Sequence, residues 1–243
     1  MAQLTAAKIK SIKSLSQKKF RNEEKLFIVE GEKLVEEAEK SGFKIVEKYY
    51  RDEIGDNAMS RISSLSSPSP VLAVVEQKNV SLDVFIQSSI AVDKGLYLAL
   101  DDIKDPGNLG TIIRVADWFG IDAIFASNET VELYNPKVVQ ATMGAIFRKK
   151  VIYCNLMEAL SALSDKGLPV YGTFLDGENI YKKKLTPNGV IVIGNESNGI
   201  GKAVEETVGE RLYIPPYPAG AVTSESLNAA IATAIVCYTF RKE

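Results

Sequence analysis

The chain has 243 residues, 46% of them hydrophobic, with 29 basic and 31 acidic side chains and a net charge of −2. Such proportions describe a globular protein of one large or two modest domains rather than a basic nucleic-acid-coating chain. There is no histidine at all, which excludes imidazole bases, His-ligated metals and Ser-His triads.

Residues 1–22 carry Lys8, Lys10, Lys13, Lys18, Lys19 and Arg21 and no acid. They read either as a solvated helix face or disordered tail, or as an arm that tracks phosphates. The stretch lacks the apolar core of a signal peptide. No later run approaches the roughly 18–20 apolar residues that span a bilayer, so a cytoplasmic protein with no membrane contact is expected. Leu26–Val29, Phe43–Val46 and Val71–Val75 read as strands. Gly31–Glu39 reads as a helix with Leu34, Val35 and Ala38 on one face, and Ser63–Pro70 as a loop. These make a small α/β unit over 1–80, followed by a connector without clear pattern over 81–95.

From Leu96 onward the fold class is α/β. Short apolar runs at 96–100, 123–126, 150–153, 169–174, 190–194 and 211–214 alternate with helical patterns near 107–119, 135–143, 156–165, 201–207 and 225–240. That alternation predicts a mostly parallel sheet covered on both faces, within one domain over 96–243. Cys154 and Cys237 match no metal-binding spacing and read as buried apolar residues in a reducing compartment. No metal is expected.

Three segments at predicted strand ends carry the chemistry. The first, Asp105-Pro106-Gly107-Asn108-Leu109-Gly110-Thr111-Ile112-Ile113-Arg114, turns from a strand into a helix and sets an amide and a permanent cation near the helix start. The second runs from Ile191 through Gly194-Asn195-Glu196-Ser197-Asn198-Gly199 to Gly201. It is not a phosphate loop, because Ile200 stands where a lysine is required, and it holds no G-x-G-x-x-G. The third runs from Leu212-Tyr213-Ile214-Pro215 through a Gly/Pro/Ser loop to Glu225-Ser226-Leu227-Asn228. There Ser224 or Ser226 is placed to cap the last helix. Ligands in parallel sheets bind beyond the carboxyl ends of the strands, so the three segments are expected to share one site.

Together these segments resemble the SpoU (TrmH-type) family of RNA 2′-O-ribose methyltransferases in the SPOUT superfamily. The resemblance covers 96–243. Residues 19–31, Lys19-Phe20-Arg21-Asn22-Glu23-Glu24 and Phe27-Ile28-Val29-Glu30-Gly31 above all, are similar to the α/β/α RNA-binding domain that precedes many such enzymes. The resemblance implies a parallel sheet with a C-terminal trefoil knot, a homodimer, and S-adenosyl-L-methionine as cofactor. Carried over by position, Thr173, Phe174, Leu175, Gly194, Ile214 and Leu227 would contact the cofactor. Arg114, Asn108, Glu196, Ser226 and Asn228 would serve catalysis, and Lys18, Lys19, Arg21 and Arg114 would hold RNA. Arg114 is then either a general base or an electrostatic clamp. A guanidinium is effectively always protonated, which favours the clamp. The loop at 216–224 is longer than is typical of the family. The expected activity is methylation of rRNA; a tRNA target and a non-catalytic assembly factor keeping the same fold are the alternatives.

Overall fold

The computed structural model describes residues 4–91, 93–218, 220–222 and 224–242. The chain forms two compact units, 1–79 with 132–148, and 80–131 with 149–243.

The first unit runs α1 (Ala6–Ser14), α2 (Lys18–Glu24), β1 (Leu26–Glu30), α3 (Glu32–Lys40), β2 (Ile45–Tyr50), α4 (Arg51–Ile54), α5 (Asp56–Ile62) and β3 (Val71–Glu76). The basic N-terminal stretch is therefore helical. Thr5 caps α1 by accepting from the Lys8 N–H at 3.2 Å. Ile9, Ile12 and Leu15 pack against Met59 and Ile62 of α5 and against Ile28, Leu72 and Val74 of the sheet. The sheet is antiparallel, in order β1-β3-β2. Helix α3 buries Leu34, Val35 and Ala38, as its spacing predicts.

The second unit begins with α6 (Leu82–Ser88) and continues β4 (Leu96–Leu100), α7 (Pro106–Trp118) and β5 (Ala123–Ser127). The chain then enters the first unit as α8 (Pro136–Ala141), and returns as β6 (Val151–Cys154), α9 (Leu156–Asp165), β7 (Val170–Asn179), β8 (Gly189–Ile193), α10 (Lys202–Glu205), β9 (Glu210–Tyr213) and α11 (Ala229–Arg241). Six parallel strands lie in the order β6-β5-β4-β8-β7-β9. β4, β5 and β8 are buried along their whole length, as continuous apolar runs in a two-sided sheet require. Burial pushes the Cys154 thiol up to about 11 and the Cys237 thiol up to about 12.

Three differences from the sequence reading bear on the unit bounds and the last helix. Residues 132–148, placed there with the C-terminal strands, complete the first unit. Tyr134 lays its ring 4.5 Å from that of Phe27 and exchanges hydrogen bonds with the Lys78 backbone, while Phe147 meets Phe43 edge-on at 5.2 Å. The stretch 81–95, read as a connector, holds α6, whose Phe85 is buried against Tyr97 and Phe125. The last helix starts at Ala229 rather than near 225, because Asn228, not Ser224 or Ser226, is its cap.

Among the described residues, no helix is long and apolar enough to cross a membrane.

Candidate functional site

At the carboxyl ends of β8 and β9, against the middle of β7, lies a cavity of about 470 Å³, a size suited to a nucleoside-sized ligand. Its walls are Thr173 to Leu175, Ile193 to Ile200, Leu212 to Ile214, and Glu225 to Leu227 with Ala229. All six residues expected at the cofactor, Thr173, Phe174, Leu175, Gly194, Ile214 and Leu227, line this one space. Gly194 is required there. A Cβ on it would lie 2.2 Å from the Gly199 carbonyl carbon and 2.3 Å from the Ile200 nitrogen. Only bare backbone lets the loop fold back so closely.

The loop is shaped by Asn195. Its Oδ1 accepts from the backbone N–H groups of Ser197 and Asn198 at 2.9 and 3.0 Å, and its Nδ2 donates to the Asp102 carbonyl at 2.7 Å. Backbone bonds between Asn195 and Gly199 close the turn in both directions. Asp102 itself sits at φ 61°, a left-handed position that costs energy for a non-glycine residue. Beside it, Asp101 accepts from the Gly201 N–H at 2.8 Å. Burial raises the Asp101 carboxyl above its ordinary value despite that bond. Sequence reasoning passed over these three residues. The available signal was a pair of acids directly after the apolar run of β4.

A hydrogen-bond relay joins the three segments at the rim. Glu196 accepts from Asn108 Nδ2 at 2.9 Å and from the N–H groups of Lys104 and Asp105 at 3.3 and 3.2 Å. Asn108 Oδ1 in turn accepts from Asn228 Nδ2 at 2.8 Å. Asn228 Oδ1 accepts from Ala230 and Ile231 N–H, capping α11. The amide orientations follow from chemistry. A carboxylate can only accept, so Asn108 must turn its NH₂ to Glu196 and its oxygen to Asn228. Asn228 must then donate, which leaves its oxygen for the helix. Burial alone would raise the Glu196 carboxyl. The bonds from Asn108 and from backbone N–H groups outweigh burial and hold it below the usual carboxylate range. Asp105 caps α7 by accepting from Asn108 N–H at 2.8 Å, with Pro106 at the first helical position. Ser226 lines the cavity at the same rim.

Two expected site residues lie elsewhere. Arg114 sits two turns into α7, exposed to solvent; it is outside the cavity wall, and among the described residues no hydrogen bond or ion pair holds it. The six-residue spacing from Asn108 carries it along the helix, away from the relay. Arg21 is 2% exposed. Its guanidinium pairs with both oxygens of Glu132 and donates to the Leu15 carbonyl at 2.8 Å. That is a buried structural ion pair with nothing left for a phosphate, and it corrects the RNA-binding reading of Arg21. Lys18 and Lys19 stay exposed, Lys19 meeting Glu23 only at 4.0 Å. The basic run at 148–150 is likewise spent within the fold. Arg148 pairs with Glu37, Lys149 donates to the Ile121 carbonyl, and Lys150 lies 5.3 Å from the Phe85 ring centre.

The SpoU rRNA Methylase family model matches residues 95–238, which hold the cavity and the relay. The chain belongs to this family. A second model, the MRM3-like substrate binding domain, matches residues 6–85. Among curated SpoU-type relatives, the 23S rRNA (guanosine(2553)-2′-O)-methyltransferase RlmP of Bacillus subtilis (strain 168) is 32% identical, over 99% of this chain and 100% of its own length. A solved structure of an AdoMet-bound rRNA methyltransferase from Sinorhizobium meliloti superposes with a TM-score of 0.88 at 31% identity, covering 100% of this chain and 97% of that one. The SpoU methyltransferase AviRb from Streptomyces viridochromogenes shares the fold, with a TM-score of 0.85 at 22% identity over 98% of each chain.

Proposed function

We propose that this SpoU-family chain transfers a methyl group from S-adenosylmethionine to a ribose 2′-oxygen in rRNA, and that it works in the cytoplasm as a homodimer. The observation that carries the reading is the hydrogen-bonded chain from Asn228 through Asn108 to Glu196, a residue of the cavity wall. Two full-length likenesses above 30% identity support it. One relative is named for 2′-O-methylation of 23S rRNA, and one structure is described as AdoMet-bound.

The residues present fit the cofactor. The backbone at Gly194 and Gly199 can approach an adenosine closely, Phe174 and Leu227 offer apolar faces, and Glu196, Glu205 and Glu225 bring negative charge to the wall. Bound there, S-adenosylmethionine would supply an electrophilic methyl group on a sulfonium. Thr173, Phe174, Leu175, Gly194, Ile214 and Leu227 would hold it. A trefoil knot belongs to the same reading. Ile214 and Glu225 to Leu227 line the cavity together with residues 173–175 of β7 and the loop after β8, before the chain enters α11.

The chain's own groups divide the remaining work. Glu196 is a poor proton acceptor, since its lowered pKa keeps it ionised and all its bonds point at Asn108 and the α7 start. It fixes Asn108; Asn108 and Asn228 then present a rigid amide pair at the rim. Ser226 completes that rim as a ribose contact. Arg114 supplies charge rather than a base, because guanidinium does not deprotonate. It would clamp RNA phosphate or stabilise the oxygen as its proton passes to solvent and the methyl leaves the sulfonium behind as a neutral thioether.

Arg114 reaches a rim only through dimerisation. It lies one turn before Trp118, which is 85% exposed, while α11, packed beside α7, exposes Ile231 at 52% and Tyr238 at 59%. Large exposed apolar side chains on paired helices suit a homodimer face. In this reading a dimer on this face would bring one protomer's Arg114 to its partner's cavity. Lys18 and Lys19 remain the phosphate contacts of the N-terminal unit.

The test is a mixing experiment. Arg114→Ala and Asn108→Ala variants are each inactive as homodimers. Mixed and allowed to exchange, they should regain about a quarter of wild-type turnover if the two residues act across subunits, since statistical pairing makes half the dimers hybrids with one intact site. No recovery contradicts the shared site.

A further inference from the structure

We propose that Arg211 is a positioning residue that holds the Phe174 wall of the cavity in place for the cofactor; this rests on the cofactor reading given above. The feature it acts on is a break in the β7–β9 ladder. Leu212 of β9 is the partner of both Thr173 and Glu178, so residues 174–177 form an excursion from the ladder within β7, and its Phe174 and Leu175 line the cavity. Its foot is pressed onto β9, because a Cβ on Gly177 would lie 2.5 Å from the Leu212 carbonyl carbon. Phe174 at its start is seated against Gly172, where a Cβ would meet the ring at 2.5 Å.

Arg211 closes the arrangement from outside. Its guanidinium carbon stands 3.6 Å from the Phe174 ring centre. Its two terminal nitrogens pair with Glu205 of α10 and with Asp176 within the excursion. One planar cation thus ties three walls together: the excursion, α10 and β9. Each carboxylate pair alone is exposed enough to contribute little. Their joint effect is to hold the guanidinium flat on the ring, where stacking and charge act at once. Lysine, a point charge, cannot meet two carboxylates and cover a ring together. A wall left to swing presents a poorer surface to the adenosine, so the loss belongs to cofactor binding rather than to the chemical step.

The experiment measures calorimetric binding of S-adenosylhomocysteine to the full chain, alongside KM and kcat for methyl transfer. Arg211→Met should weaken binding about three- to fivefold, the scale of one partly exposed cation–π contact, and Phe174→Leu at least as much. Turnover of Arg211→Met at saturating cofactor should stay within about twofold. The double variant should bind no worse than Phe174→Leu alone, since the Arg211 contact is already lost there. Arg211→Lys should behave like Arg211→Met. Wild-type affinity in Arg211→Met, or losses that multiply in the double variant, overturns the inference. A fall in kcat together with melting temperature in both Arg211 variants also overturns it, by assigning Arg211 to general stability. If the wild-type chain takes up no S-adenosylhomocysteine, the cofactor reading itself fails, and this inference with it.

Discussion

Asn108 owes its position to three others: Glu196 holds its NH₂, Asn228 holds its oxygen, and Asp105 holds its backbone. Asn108→Asp sets a second carboxylate against Glu196 and replaces a donor with an acceptor. Its turnover should fall by about a hundredfold or more, the scale of losing one aligned donor in a catalytic site, and Glu196→Gln in the same background should recover part of it. Failure of that second change to help would remove the relay from the mechanism. The Glu196 carboxyl is held below its unfolded value, so its contribution to stability is present at neutral pH. It disappears as pH falls through the folded pKa. Melting temperature of the wild type should therefore drop more steeply below about pH 4 than that of Glu196→Gln. Parallel curves would show that the bonds do not stabilise the charged form. Gly194→Ala drives a methyl into the Gly199 carbonyl carbon and should abolish cofactor uptake, which equilibrium dialysis would show.

Among the elements, most of the second unit was legible in the sequence. The runs at 96–100, 123–126 and 190–194 became β4, β5 and β8 because fully buried strands leave an unbroken apolar signature. The first turn of α11 was misplaced because Ser224 and Ser226 read as caps as readily as Asn228 does. Only the Asn108 contact selects Asn228. The basic residues near the N-terminus all looked alike in one dimension. In three, Arg21 is consumed by Glu132, which lies 111 residues away in the sequence, while Lys18 and Lys19 stay in solvent. The two kinds separate experimentally. Arg21→Ala leaves Glu132 partnerless and should cost about 3–5 kcal/mol of stability by chemical denaturation. Lys18→Ala with Lys19→Ala should leave stability unchanged and lower the salt slope of RNA binding by about two units. An unchanged slope would take α2 off the RNA path.

At the scale of the molecule, the chain combines a small antiparallel unit with a parallel-sheet unit, and its site lies where β8 and β9 of the latter end beside the register break of β7. Residues 132–148 could not be assigned by local pattern, because a helix that serves the first unit reads the same as one that serves the second. What gives them away is the pairing of Tyr134 with Phe27 and of Phe147 with Phe43. The dimer face is a whole-molecule claim with its own check. Ile231→Glu with Trp118→Glu should yield a folded monomer by sedimentation that no longer methylates RNA, whereas a fully active monomer would refute a shared site. The most direct test supplies the purified chain with methyl-labelled S-adenosylmethionine and rRNA from a strain lacking the gene. Label should enter one ribose, recovered as a single dinucleotide resistant to alkali, and Arg114→Ala should abolish it. Label on a base, or none in rRNA, would contradict 2′-O-methylation of rRNA.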